Sequence, residues 1–238
     1  MIDTKEKEAT PGSGSRSYSS EEEDLAGDTY SIDSIIDDTY QCCNGSLYLA
    51  PIPDDVERVL DLGTGTGIWA IDFADLFPNA SVLGTDLSPI QPDMVPPNCR
   101  FEIDDMTEEW TYPPNYFDFI HIRGLFGSIH DWNNLYAQAY KHLKPGGFIQ
   151  HIEPSLYIHC DDDTVPLDSP LHRFAEESGI CYKFDVGLEG FAVQLLTNVM
   201  GMSLPEVQLF CAEVRAAARD RRAHSYYPHK LVYAQKPS

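Results

Sequence analysis

The residues best equipped for chemistry crowd into one run, VLDLGTGTGIWAIDFA, spanning residues 59–74. Gly63, Gly65 and Gly67 end an apolar stretch and precede a helix-like one. Glycines there let the backbone turn sharply and approach a ligand with no Cβ in the way. The opening turn of a helix adds unpaired N–H groups and partial positive charge. The spacing is G-x-G-x-G, not the G-x-G-x-x-G of dinucleotide sites, and no lysine follows as in a P-loop. Asp61 stands two residues before the first glycine. A carboxylate at that point suits an ammonium group and repels a pyrophosphate. Asp86 follows Gly67 by 19 residues, where an acid can accept both hydroxyls of a ribose. Asp104 and Asp105 come next, where a carboxylate can take the amino group of an adenine. Ammonium, ribose diol and adenine together describe S-adenosylmethionine. The loop spacing and Asp61 disfavour NAD.

These acids need strand ends to carry them. Val59-Leu60-Asp61-Leu62 reads as a buried strand, and 67–77 as a helix stopped at Pro78. Further strands are expected at 81–84, 100–103, 116–122 and 148–152. Asp131 can cap a helix in which Trp132, Leu135, Tyr136, Ala139 and Leu143 recur at helical spacing, halted by Pro145-Gly146-Gly147. Strands alternating with helices predict an α/β fold with a mostly parallel sheet and right-handed crossovers. Beyond it, 188–200 reads as helical. Ser203 and Glu206 form a capping box with Pro205 in the first turn. Val207, Phe210, Cys211, Val214 and Ala218 line one face of that helix. A closing strand is expected at 226–234, with Pro228 suited to an edge. At the other end, residues 1–30 are rich in Gly, Ser, Pro and acids and read as a disordered acidic tail. In 31–49, Ile32, Ile35 and Ile36 suggest a short helical face. The expected organisation is that tail followed by a single domain over 31–238.

Composition excludes other classes. The 238 residues carry 38 acids against 16 Lys/Arg, a formal net charge of −22. Phosphate-backbone binding rests on clustered basic residues, so direct nucleic-acid binding is not expected. No run reaches the roughly 18 apolar residues of a membrane helix. The first residues show no apolar stretch of a secretory signal, so a cytoplasmic or nuclear protein is expected, not a secreted one. Cysteines 42, 43, 99, 160, 181 and 211 show no zinc-binding spacing. Asp161-Asp162-Asp163 reads as a solvated loop, and no metal site is expected.

The stretch from Val59 to Gly147 resembles a class I S-adenosylmethionine-dependent methyltransferase. DLGTGTGIWAIDFAD, GTDLSPIQPDMVPPNCRFEIDD, FDFIHIRGLFGSIHDW, LKPGGF and the closing DRRAHSYYPHKLVYAQKP are more closely similar to the fungal LaeA-like methyltransferases. That group includes regulators of secondary metabolism and natural-product enzymes. The resemblance implies a Rossmann-like sheet whose last strand is antiparallel. It also implies site roles: Asp61, Gly63, Gly65 and Gly67 around the methionine part of the cofactor, and Asp86 on the ribose with Leu87 beside the adenine. Asp105 and Met106 fall at the adenine edge, with Asp104 the alternative acid, and Arg123 near the cofactor carboxylate and methyl group.

Methyl transfer is an in-line displacement in which the protein mainly orients the partners. A general base helps where the acceptor is a phenol or alcohol. His121 and His130, around the end of the fourth expected strand, are the candidates, and Glu153 can face the same cleft. The chain departs from the family between residues 154 and 224, where no candidate for the usual sixth strand is found. The strand at 226–234 is therefore expected at the sheet edge, open to self-association or a protein partner. The function expected is methylation of a small-molecule acceptor or LaeA-like regulation. The alternative is a shortened, catalytically impaired relative that binds cofactor or partners without turnover.

Overall fold

The computed structural model describes residues 5–8, 43, 45–155, 157–178, 192–193, 196–198 and 200–238. These fall into two compact units, Met1–Glu153 with Lys230–Ser238, and Pro154–His229.

The first unit holds the sheet. Its strands are β1 (Lys5–Glu8), β2 (Arg58–Leu62), β3 (Ser81–Asp86), β4 (Cys99–Ile103), β5 (Phe117–Arg123), β6 (Leu143–Pro154) and β9 (His229–Gln235), in the order β1-β9-β6-β5-β2-β3-β4. β2 through β6 run parallel, as the alternation of strand and helix predicts. β9 is antiparallel to β6. The Gly146 and Lys236 backbones bond at one end, and the Ser155 N–H reaches the Pro228 carbonyl at the other.

Strand periodicity sorts the core into two layers. Val59, Val82, Phe119 and Phe148 face helix α1 (Ile68–Leu76), where Trp69, Ala70, Phe73 and Ala74 bury. Leu60, Leu62, Leu83, Ile120 and Ile122 face helix α2 (Trp132–His142), through Leu135 and Ala139. Asp131 caps α2 as expected, its carboxylate accepting the Asn134 N–H at 3.0 Å.

Two expectations are corrected here. Tyr226 does not belong to the closing strand, which begins at His229. With Ser225 it forms β8 (Ser225–Tyr226), which pairs with β7 (His159–Cys160) in a separate two-stranded sheet. The outer side of β9 is not bare either. Of the strands drawn from residues 58–235, β9 is the antiparallel edge strand, and no described residue of 155–224 lies in a strand of the main sheet. Its outer side carries β1, with Lys5 opposite Tyr233 and Glu8 opposite Lys230. Four residues of the stretch read as a disordered tail thus form a strand, in the place the missing sixth strand would hold. Residues 9–30, the helical face proposed for Ile32, Ile35 and Ile36, and most of the helix at 188–200 lie outside the described residues.

The second unit packs helices α3 (Pro170–Ser178) and α4 (Leu204–Ala218) around Leu171, Phe174, Val207, Phe210, Cys211 and Val214. The capping box is present, with Glu206 accepting the Ser203 N–H at 2.7 Å. Asp162 accepts from Thr164 at 2.7 Å and pairs with His224, so the acidic loop is an ordered turn. No described helix is long and apolar enough to cross a membrane.

Candidate functional site

The candidate site lies along the C-terminal ends of the parallel strands, where β2 passes into α1 through the glycine loop. Gly63, Gly65 and Gly67 all have positive φ, at 66°, 58° and 81°, which a Cβ disfavours. A Cβ on Gly63 would overlap the Leu125 side chain, and one on Gly67 the Phe101 ring. At Gly65 a Cβ would meet no described atom within 4 Å, so the loop's crest is open.

Asp86, the last residue of β3, grips that crest. Its Oδ2 accepts the Gly65 N–H at 2.8 Å and its Oδ1 the Ser88 N–H at 2.9 Å. The Gln91 amide donates to the Gly65 carbonyl at 2.6 Å from the other side. A carboxylate offers about four lone-pair directions, so Asp86 retains acceptor capacity for a diol. Leu87 follows it, 64% exposed, and Ile103, in register with Asp86 on β4, is 67% exposed. Two bare apolar side chains at neighbouring strand ends are a ready surface for a flat ring.

The two acids after β4 differ. Asp105 accepts from the Thr107 N–H at 2.9 Å and hydroxyl at 2.6 Å, which holds its carboxyl below the usual range. Asp104 accepts the Asp105 N–H at 3.0 Å. Met106 is buried, with its carbonyl accepting the Trp110 indole N–H at 2.9 Å.

Asp61 is placed differently from what its position suggested. It is 3% exposed and turned toward the α1 face. Its Oδ2 accepts the Thr64 hydroxyl at 2.6 Å and its Oδ1 meets His121 Nδ1 at 2.8 Å. It therefore braces the loop from behind. His121, expected as a candidate base, is 1% exposed and stacks flat on Trp69 at 3.8 Å and 4°. Its Nε2 has no partner among the described residues. Burial pulls its pKa down, against the opposing pull of Asp61. A sealed imidazole cannot take a proton from an acceptor. His130, the other candidate, is exposed in the loop before α2 and makes no hydrogen bond among the described residues. Arg123 ends β5, in register with Ile152.

Glu153 lies near the end of β6 and organises its surroundings. Its carboxylate accepts the Leu125 N–H at 2.7 Å and the Phe126 N–H at 3.2 Å, fixing the loop after β5. It also meets His151 Nε2 at 2.9 Å, and His151 Nδ1 meets the Tyr136 hydroxyl at 2.6 Å. Sequence reasoning missed His151 and Tyr136. The signal available was the i, i+2 spacing of His151 and Glu153, which puts both on one face of a strand.

A family described as a methyltransferase domain matches residues 35–184. The chain belongs to this family, and the likeness to LaeA-like proteins drawn from its motifs is borne out by relatives. The secondary metabolism regulator LAE1 of Cochliobolus heterostrophus is 48% identical over 135 residues, 55% of this chain and 44% of that protein. The methyltransferase pytC of Aspergillus terreus is 32% identical over 247 residues, 82% of this chain and 76% of its own. The protein-methionine methyltransferase laeA of Emericella nidulans is 43% identical over 246 residues, 81% of this chain and 65% of its own. The chain thus spans under half of the first of these relatives and about two thirds to three quarters of the others.

Proposed function

We propose that this chain is an S-adenosylmethionine-dependent methyltransferase of the LaeA-like kind, acting on a small-molecule acceptor of secondary metabolism or in its regulation. The observation that carries the proposal is the grip of Asp86 on Gly65, at an open crest flanked by exposed Leu87 and Ile103. The residues present suit the cofactor. Asp86 would take the ribose diol, Leu87 a face of the adenine, and Asp105 with the Met106 N–H its edge, with Asp104 the alternative acid. The loop from Gly63 to Gly67 would border the methionine part, shaped by Asp61 through Thr64 and His121, with Arg123 near the carboxylate. Bound there, S-adenosylmethionine would supply a sulfonium-activated methyl group and a neutral thioether leaving group.

The acidic charge supports a neutral or cationic acceptor and a protein that leaves nucleic acid alone. A cytoplasmic or nuclear place of work fits the same reading. Self-association through β9, or docking of a protein partner there, would first require displacing β1.

Calorimetry with S-adenosylhomocysteine and with NAD tests the proposal. The first should bind and the second should not. Asp86→Ala should weaken binding by about 1–3 kcal/mol, the cost of leaving buried polar partners unmatched. Binding of NAD, or unchanged affinity in the variant, would overturn the ribose assignment. Binding with no transfer to any acceptor would favour the catalytically impaired alternative.

A further inference from the structure

We propose that Tyr136, His151 and Glu153 form a proton-accepting relay for the methyl acceptor, which therefore presents an O–H, as a phenol or alcohol does, and not a thioether sulfur. This rests on the methyltransferase reading and names the acceptor class for the same site.

In the relay each hydrogen bond has one direction, set by a single tautomer of His151. Glu153 accepts two backbone N–H groups, from Leu125 and Phe126. Acting as an acceptor there, it also receives the His151 Nε2–H at 2.9 Å. With its proton on Nε2, His151 presents a lone pair at Nδ1, to which the Tyr136 O–H donates at 2.6 Å. Trp132 stacks on the imidazole at 4.8 Å and 29°, setting its plane. Tyr136 is 40% exposed, so the relay begins at a residue that solvent reaches and ends at a carboxylate held by backbone.

The relay also adjoins the candidate cofactor site. Glu153 holds the N–H of Leu125, and the Leu125 side chain lies against Gly63 of the glycine loop. One side chain thus separates the relay from the loop. His121, by contrast, is sealed beneath Trp69 on the opposite face. Burial, reinforced by the Glu153 charge, raises the Tyr136 pKa, so the phenol rests protonated and serves as a conductor. The groups around His151 are Glu153 on its own strand and Tyr136 and Trp132 on α2. From β5, whose Ile122 is its register partner, come Arg123 and the far-face His121.

The step balances. The acceptor O–H bond breaks as its proton passes to the Tyr136 oxygen, and the Tyr136 proton passes to His151 Nδ1. His151 is left with two N–H groups beside Glu153 and later returns one proton to water. The electron pair freed on the acceptor oxygen forms the O–CH3 bond, and the pair of the broken S–CH3 bond stays on sulfur.

The full chain tests this in two ways. Nitrogen-15 NMR of the ligand-free protein should show His151 as the Nε2–H tautomer, and Tyr136→Phe should move the Nδ1 resonance while leaving the fold intact. An Nδ1–H tautomer would reverse the Tyr136 hydrogen bond and overturn the relay. Then methyl-labelled S-adenosylmethionine is offered with catechol, with a primary alcohol and with a methionine-bearing peptide. Label should enter an O–H compound and not the peptide. His151→Gln and Tyr136→Phe should slow that transfer by about 10²-fold or more, with cofactor affinity by calorimetry unchanged. They should recover at alkaline pH, where the acceptor ionises unaided. Label on the peptide alone or on none of the three, or an unchanged pH profile in His151→Gln, overturns the relay while cofactor binding still stands. Absence of cofactor binding by the unaltered chain overturns the methyltransferase reading and the relay together.

Discussion

His121 and His151 lie on neighbouring strands, and each meets a carboxylate at just under 3 Å, Asp61 at 2.8 Å and Glu153 at 2.9 Å. They differ in which face of the sheet they occupy. His121 shares its face with Phe119 and lies under Trp69, with its second nitrogen buried and without a partner among the described residues. His151 sits on the α2 face near the strand ends, and its second nitrogen meets a half-exposed phenol. One residue type with one kind of partner is a brace in the first case and a route for protons in the second. Burial decides: a sealed imidazole has no route by which to exchange a proton, and a partly buried one with an exposed partner does.

The largest expected effect separates the two pairs by stability. Asp61→Ala strips both His121 and Thr64 of their acceptor inside the core. It should cost about 3 kcal/mol, since each unsatisfied buried donor costs roughly 1–3 kcal/mol. Glu153→Ala should cost about 1 kcal/mol, because water can reach the groups it leaves. Urea denaturation of the two variants measures the gap. Equal losses would mean that the two faces are equally sealed and that the contrast fails.

The second effect is smaller and depends on pH. Burial holds the folded-state pKa of His121 below its ordinary 6.5. The unfolded chain therefore binds this proton more readily than the folded one. The stability associated with His121 is complete above about pH 6.5 and is lost as pH falls toward the folded value. His121→Gln keeps an N–H for Asp61 but cannot titrate. Melting temperatures followed from about pH 7.5 down to 5 should fall less steeply in the variant than in the parent. Parallel slopes would show that His121 is not sealed.

The same contrast explains what was legible in the sequence. The strands β2 to β5 and the helices α1 and α2 were readable because apolar residues recur along them. Asp131 and the Ser203–Glu206 pair announced their helices by local capping chemistry. The loop glycines and Asp86 were readable because their spacing is set by one strand–turn–helix unit. The face of His121 was harder. Its place near a strand end suggested the cleft, and only its register with Asp61 and its stacking on Trp69 show that it points inward. The relay was out of reach because Tyr136 and His151 meet through the packing of α2 on β6, a tertiary event that no local pattern records. β1 was missed for another reason. Lys5-Glu6-Lys7-Glu8 alternates charge with charge, so it carries no apolar signal for a strand, and its pairing with β9 is a backbone match.

The smallest expected effect is that of Tyr136→Phe on stability, and it sharpens the comparison from the open side. The change removes one hydroxyl from a half-exposed ring and leaves the ring itself in place. His151 Nδ1 then faces a site that water can enter, so the lost hydrogen bond is replaced. At neutral pH the variant should match the parent to within about 0.5 kcal/mol, as surface substitutions away from special features do. In alkali the two should part. Burial and the Glu153 charge raise the folded-state pKa of Tyr136 above its ordinary 10.0. The folded chain therefore holds this proton more tightly than the unfolded chain. The associated stability is present below about pH 10 and is lost as pH rises through the folded value. Tyr136→Phe has no such proton to lose, so its alkaline decline should be shallower. A large loss at neutral pH would mean that the hydroxyl holds α2 against β6 as structure. A conserved neutral-pH stability beside a flattened alkaline limb would mark it as a group whose proton is its purpose.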